Sequence, residues 1–465
     1  MNREDRLDPD GIRDDGVPYY EADAKRLQSY ADAREELSRF DAPVFVHADN
    51  PREYLFVASF DGTGNDKFKD SAHETNVAKI DDQIEASRLS GDGHLGHGYV
   101  PGPGTEDGFL ARTLDGMDGH TYDMRIEEMY RKLIDQVAKW KQADPDTRIR
   151  VADIGFSRGG DQAAGFARVV QERGIQDPVG AHYTYDSHHR ITHVEYIRPP
   201  LIEPGQVAQA VGLFDPVGTG DPVKHHDRRL PPSVVSGFQI IAADERRALF
   251  KSDRIIDPGM TPDGRFLGVT VAGAHSDVGG SYHRDGLAIR SENLMVNYLN
   301  GLSDRPFLQR QAEPDDPRLD VVHRSQDGML LYRLTPRVDR LSPDGYNELL
   351  VPRPEAKRVA DPFNAEPRDE LLNQPFQRQR IHTGMRPSLP DQPCVLSARL
   401  DRLLAAGQSN DWAAFSRENQ ALAFGEAGRG MLADAAVQAS WLEQQATPQV
   451  VQQKTVPPVC QTMTF

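Results

Sequence analysis

The stretch "RIRVADIGFSRGGDQAAGFARVV", residues 148–170, constrains this chain more than any other. An apolar run breaks on Gly155-Phe156-Ser157-Arg158-Gly159, and a small-residue, helix-like segment follows at once. A buried strand that turns directly into a helix is the unit from which parallel sheets are built. Gly-x-Ser-x-Gly at such a turn is the pattern of a nucleophile elbow, in which the serine sits on a sharp bend. Side chains two residues before and two after that serine would collide with the strand and the helix, so glycine is needed at both places. Gly159, Gly160, Ala163, Ala164 and Gly165 keep the helix close to the sheet. The pattern is short, however, and an idle serine in a glycine-rich turn reads the same, so the flanking segments must decide.

They repeat the strand-and-helix theme. "YLFVASF" (Tyr54–Phe60) is a continuous apolar run bounded by turn residues, and "VAQAVGLFD" (Val207–Asp215), "GFQIIAAD" (Gly237–Asp244) and "FLGVTVAGAH" (Phe266–His275) read as further strands. "TYDMRIEEMYRKLIDQVAKW" places Ile126, Met129, Tyr130, Leu133, Ile134, Val137 and Trp140 at helical spacing. "TNVAKIDDQIEAS" predicts a helix capped near Thr75 or Asn76, and "LAIRSENLMVNYLNGL" predicts another. Tyr19–Phe40 can form one helix with a ragged apolar face, and residues 91–105 read as a glycine-rich loop. Strands that are apolar throughout and alternate with helices imply an α/β fold, a mostly parallel sheet covered on both faces.

The 465 residues divide on this reading into a polar N-terminal extension (1–50), a catalytic core (51–302), an irregular cap or insertion rich in Pro, Asp and Arg (303–395), a small helical C-terminal region (396–446) and a tail (447–465). A net charge of −17 argues against nucleic acid as a partner, because neutralising phosphates needs a basic surface. No run of about 18 apolar residues exists to predict a membrane-spanning helix. "MNREDRLDPDG" has no apolar core of a secretory leader, so export would need a route that uses none. The two cysteines, Cys394 and Cys460, make neither a disulfide framework nor a metal site and read as free thiols. His182, His188, His189 and His193 crowd a polar stretch, but no carboxylate recurs there at ligand spacing, so no metal is expected.

A serine nucleophile needs a base and an acid that orients it, and in this architecture they follow in the order Ser, Asp or Glu, His. His275 in "AGAHSDVGG" ends a strand in a tight loop, at the sheet edge where α/β sites lie. His225 and His226, after "DPVGTGDPVK", are the alternatives for the base. Asp215 ends a strand in "GLFDPVG" and ranks first for the acid, ahead of Asp244, which ends the next strand, and Asp277, two residues from His275. An oxyanion hole takes one backbone N–H from the residue after the nucleophile, Arg158, and another from the loop after an early strand. "FDGTGND" supplies that loop through Gly62, Thr63 and Gly64, with Asp61 organising it. A phosphate-cradling loop is the rival reading of "DGTGN", but no Lys-Ser/Thr pair of a nucleotide site follows.

Taken in order, "SFDGTGND", "TNVAKI", "YVPGPGT", "GFSRGG", "GLFDPVG", "AADERR" and "AGAHSDVGGSY" resemble the α/β-hydrolase family of type VI secretion phospholipase effectors of the first lipase class, over about residues 54–300. The resemblance implies an α/β-hydrolase-like fold and the catalytic set Ser157, Asp215 and His275. It also implies phospholipase A-type attack on glycerophospholipid acyl esters, without a cofactor. As partners it implies a phospholipid or membrane substrate, a secretion-apparatus component and a cognate immunity protein. It further implies synthesis in a bacterial cytoplasm and export to a target cell. Two other readings remain open: a housekeeping esterase or thioesterase acting on small soluble substrates, and a binding module that uses the cap and tail to engage a secretion partner.

Overall fold

The computed structural model describes residues 7–91, 93–103, 119–185, 191–218, 227–328, 330–347 and 365–384. The chain divides into two compact units, one of residues 1–88 and 92–387 and one of residues 89–91 and 388–465. Of the second, only residues 89–91 are among those described, so the helical C-terminal region, the tail, Cys394 and Cys460 lie outside them, as do His188, His189, His225 and His226.

Thirteen strands are described in chain order: β1 (Tyr19–Glu21), β2 (Asp41–Pro43), β3 (Glu53–Phe60), β4 (Leu95–Val100), β5 (Arg148–Phe156), β6 (His182–Tyr185), β7 (Ile191–Glu195), β8 (Ala208–Phe214), β9 (Val234–Ala242), β10 (Gly259–Met260), β11 (Phe266–Val271), β12 (Val321–His323) and β13 (Arg378–Arg380). The helices that matter here are α1 (Ala24–Ser38), α2 (Asn76–Leu89), α3 (Gly119–Ala143), α4 (Arg158–Arg173), α5 (His275–Gly279) and α6 (Gly286–Asn300). Seven strands form the central sheet in the order β10-β11-β9-β8-β5-β3-β4. All its pairs are parallel except the two-residue edge strand β10, which runs antiparallel to β11. This is the α/β-hydrolase-like architecture, with helices on both faces.

Alternation along each strand explains why the apolar runs are unbroken. On β3, Leu55 and Val57 belong to one core, with Tyr30 and Leu37 of α1, Ile80 of α2 and Leu294 of α6. Phe56, Ala58 and Phe60 belong to the other, with Met129, Leu133 and Val137 of α3 and Ala163 and Ala167 of α4. Ala152, Ile154 and Phe156 of β5 go to the first core, and Ile149 and Val151 to the second. A strand covered on both faces has no solvated side on which to place polar residues.

One expectation needs correcting. Residues 95–100 are not part of a glycine-rich loop but form β4, in parallel register with β3 from Leu55↔Leu95 to Phe60↔Val100. The glycines are there for packing. A Cβ on Gly96 would come within 2.6 Å of the Trp140 ring, and one on Gly98 within 2.7 Å of Met129 Sδ. The small residues thus let α3 lie directly on the strand.

The segments on either side of the 51–302 stretch add to the same unit. β1 pairs antiparallel with β12, and β2 with β13. Tyr30, Leu37, Leu308, Val322 and Ile381 join the first core.

Candidate active site

The elbow follows from close approach. A Cβ on Gly155 would sit 2.2 Å from Gly159 O, and a Cβ on Gly159 would sit 2.2 Å from Phe60 O. Only glycine at both positions lets α4 start directly over the C-terminal ends of β3 and β5. Ser157 is the N-cap of α4 with φ 59° and ψ −127°, and it is 4% exposed. Its backbone is fixed on both sides: its N–H donates to Phe214 O at 3.1 Å, and its carbonyl accepts from Gly160 N at 3.0 Å and Val217 N at 3.2 Å. Among the described residues, three that are not glycine have positive φ: Ser157, Asp215 (38°) and Ser281. Such backbone persists only where its surroundings enforce it, and it gathers at functional sites.

Asp215, just past β8, and His275, the first residue of α5, meet beside the elbow. His275 Nδ1 lies 2.6 Å from Asp215 Oδ2. With Nδ1–H given to the carboxylate, the neutral ring carries its lone pair on Nε2, which is buried without a hydrogen-bond partner. The Phe156 ring, from the residue before Ser157, packs 4.6 Å from the imidazole centroid, and Phe250 meets the imidazole edge-on at 5.1 Å. Among the described hydrogen bonds none joins Ser157 Oγ to His275; catalytic contacts often tighten only with substrate present. Burial lowers the His275 pKa, against the pull of Asp215 in the other direction. The His275 backbone N–H donates to Glu245 Oε2 at 3.3 Å.

The other two carboxylates considered for the acid are engaged elsewhere. Asp244 accepts from Gly273 N at 2.9 Å and faces Tyr20 and Arg26. Asp277 caps its own helix through Ala274 N at 2.8 Å and binds His323 Nδ1 at 2.5 Å. Neither has a described contact with the His275 ring.

The loop after β3 departs in part from expectation. Asp61 does organise it, accepting from Tyr99 Oη at 2.6 Å, Thr75 Oγ1 at 2.8 Å and Gly62 N at 2.7 Å. Burial raises its carboxyl to about 6 in spite of these donors. The Gly62 N–H is thereby taken, and the Gly64 N–H donates to Pro103 O at 2.8 Å, so these two expected oxyanion donors are occupied. Thr63 is left as the loop's candidate donor, and its Oγ1 is buried without a partner. Arg158 occupies the first position of α4, next to Ser157.

Sequence reasoning missed two groups that complete the surroundings. Arg340, fully buried, donates to both oxygens of Asp215, at 2.8 and 3.0 Å. Burial alone would raise Asp215, but Arg340 first and His275 second draw it down to about 2. Glu245 and Arg247 form a buried two-bonded pair at 2.9 and 2.8 Å, which holds the Glu245 carboxyl near 2 against burial. Both lie in "AADERR", where the charge density was visible but its burial was not. Nothing in the Pro-, Asp- and Arg-rich stretch around Arg340 marks it out.

A cavity of about 260 Å³, which none of Ser157, Asp215, His275 and Arg340 lines, is bounded by Asp244 and, among others, by Arg26, Arg246, Arg324 and Arg337. Asp23, Asp244, Asp339 and Asp327 face these guanidinium groups, so it is an ion-pair network with its charge internally balanced. Among the described residues no group of three or more His, Cys, Asp or Glu is arranged to hold a metal ion. His182 and His193 are exposed on the β6–β7 hairpin.

The family model described as "T6SS, Phospholipase effector Tle1-like, catalytic domain" matches residues 55–200 and 201–304, over half of the chain. No curated protein matches. Among solved structures, the chain is similar to the Tle1 effector in "Structure of the Tle1 effector bound to the VgrG spike from the Type 6 secretion system", at 19% identity and TM-score 0.29, covering 52% of each chain. It is also similar to an uncharacterized protein from Pseudomonas aeruginosa, at 16% identity and TM-score 0.31, covering 89% of this chain and 69% of that one. A dienelactone hydrolase from Anabaena variabilis is similar at 12% identity and TM-score 0.23, covering 50% of this chain and 87% of that one. The chain spans about half the length of the Tle1 effector it matches.

Proposed function

This chain belongs to the family of Tle1-like phospholipase effectors of the type VI secretion system, and from that premise we propose that it hydrolyses acyl esters of glycerophospholipids, with Ser157 as nucleophile, His275 as base and Asp215 as the orienting acid. The observation that carries the reading is the buried 2.6 Å contact between His275 Nδ1 and Asp215, which leaves Nε2 bare beside the Ser157 elbow.

In the first step His275 Nε2 takes the Ser157 Oγ proton as Oγ attacks the ester carbonyl. Negative charge then develops on the carbonyl oxygen. The N–H of Arg158 and the donors of Thr63 stabilise it there, at the start of α4, where the helix dipole also favours negative charge. The imidazolium, held by Asp215, returns the proton to the departing lysolipid alkoxide and leaves an acyl-Ser157. In the second step His275 deprotonates a water, which releases the fatty acid. The proposal includes phospholipase A-type cleavage, an antibacterial role after export, and recognition by a secretion-apparatus component and an immunity protein.

Ser157→Ala is expected to abolish turnover of a fluorogenic phospholipid while the fold survives; unchanged turnover would overturn the assignment. Product analysis by mass spectrometry should show free fatty acid and lysophospholipid. Faster turnover of a monomeric short-chain ester than of the same ester in micelles would point to a soluble esterase instead.

A further inference from the structure

The family match ends at residue 304, yet one side chain in contact with the proposed acid comes from beyond it. We propose that Arg340 is a positioning residue of the catalytic centre, orienting the Asp215 carboxylate towards His275 and sharing its charge so that the imidazole stays neutral between turnovers. The inference rests on the Ser157–Asp215–His275 reading.

The carboxylate is held by four donors. Oδ1 accepts from Arg340 Nη1 at 2.8 Å and Ala242 N at 3.1 Å; Oδ2 accepts from His275 Nδ1 at 2.6 Å and Arg340 Nη2 at 3.0 Å. A planar guanidinium that grips both oxygens prevents the carboxylate from rotating, which a lysine could not do. Arg340 is itself held. Its Nη2 also donates to Phe250 O at 2.6 Å, and Tyr346 Oη donates to its carbonyl. Val338 N donates to Arg246 O at 2.9 Å and Ser252 N to Gly345 O at 3.0 Å, so the segment is fastened to the loop after β9.

The charge argument follows from burial. Asp215 and Arg340 are both completely enclosed. Without Arg340 the full charge of the buried carboxylate would bear on His275, beside the paired Glu245 and Arg247, and favour the imidazolium; a protonated ring cannot accept the serine proton. With Arg340 carrying the compensating charge, the ring can remain neutral and still be oriented.

The test compares the full-length protein with Arg340→Gln and Arg340→Lys. The His275 ring is titrated by NMR, its signal identified by its absence in His275→Gln. Arg340→Gln is expected to raise the His275 pKa by about one unit or more and to move the acid limb of kcat/KM upward with it. It should also cut kcat roughly tenfold or more with KM changed less than about twofold. Arg340→Lys keeps the charge and should leave the acid limb in place, but it should label more slowly with a fluorophosphonate because the two-pronged grip is gone. A structural role alone would lower the melting temperature without moving the titration. A folded Arg340→Gln protein with an unchanged His275 titration and acid limb overturns the proposal. If that variant does not fold, wild-type labelling by Arg340→Lys overturns it. Wild-type protein that turns over no ester would instead refute the hydrolase reading, and the NMR titration would still decide the role of Arg340.

Discussion

Ser157 and Asp215 share a property of the backbone: both are left-handed, at φ 59° and 38°. Strain of this kind costs on the order of 1–3 kcal/mol per residue, and glycine relieves most of it. Ser157→Gly is therefore expected to be more stable than Ser157→Ala by about 1 kcal/mol in urea unfolding, with both inactive. Equal midpoints would mean that the elbow stores no strain. At Asp215 the consequence is chemical. Asp215→Asn keeps the shape but cannot satisfy His275 Nδ1–H and both prongs of Arg340 with oxygen acceptors. A fall in kcat of about 10³–10⁴-fold is expected from loss of the correct tautomer, measured on a fluorogenic ester.

At the scale of elements, α3 and β4 show what sequence periodicity can and cannot reveal. The large apolar positions of α3, Ile126, Met129, Tyr130, Leu133, Ile134, Val137 and Trp140, are all buried, because a helix against a sheet must turn one stripe inward. β4, "LGHGYV", lacks that legibility because its strand character resides in its partners: β3 supplies the hydrogen bonds, and α3 supplies the side chains that occupy the space over Gly96 and Gly98. Gly96→Val would place a Cβ 2.6 Å from the Trp140 ring and is expected to destabilise the fold by about 1–3 kcal/mol, read by chemical denaturation. The loop after β3 was legible as a glycine-rich turn, but the choice of donor within it was not. That choice depends on Asp61 and Pro103 already holding the amides of Gly62 and Gly64.

Across the whole described unit, buried charges tie distant segments to the loop that carries His275. His323 of β12 lies between Asp277, two residues after His275, and Asp15 of the N-terminal segment, with its ring nitrogens 2.5 and 3.1 Å from their carboxylates. Burial would lower its pKa, but the two carboxylates raise it from 6.5 to about 9. Its contribution to stability is full below about 6.5 and is lost as pH rises through about 9. Asp215 and Glu245, held near 2, contribute stability above about 4 that is lost as pH falls towards 2. Asp61 acts in the opposite sense: its raised pKa costs stability as pH climbs from about 4 to about 6. The melting temperature is expected to fall at both ends of the pH range, and His323→Gln should flatten the alkaline fall between about 6.5 and 9 while lowering the plateau. An alkaline fall identical to that of the wild type would show that His323 carries no such linkage.

The central strands β3, β5, β8, β9 and β11, the helices α2, α3, α4 and α6, the turn at Ser157 and the places of Asp215 and His275 at strand ends could be read along the chain, because each depends on local rules: apolar runs, the glycines a tight turn needs, and residues at strand ends. That Asp215, already ranked first from sequence, and not Asp244 or Asp277, touches the His275 ring, that the Gly62 and Gly64 amides are occupied, and that Arg340 grips Asp215 are facts of the tertiary structure. A carboxylate or a guanidinium looks the same in sequence whether it meets water or another buried charge. Its partner is chosen by which segments the fold packs together, and here the segment that packs against Asp215 lies 125 residues away along the chain.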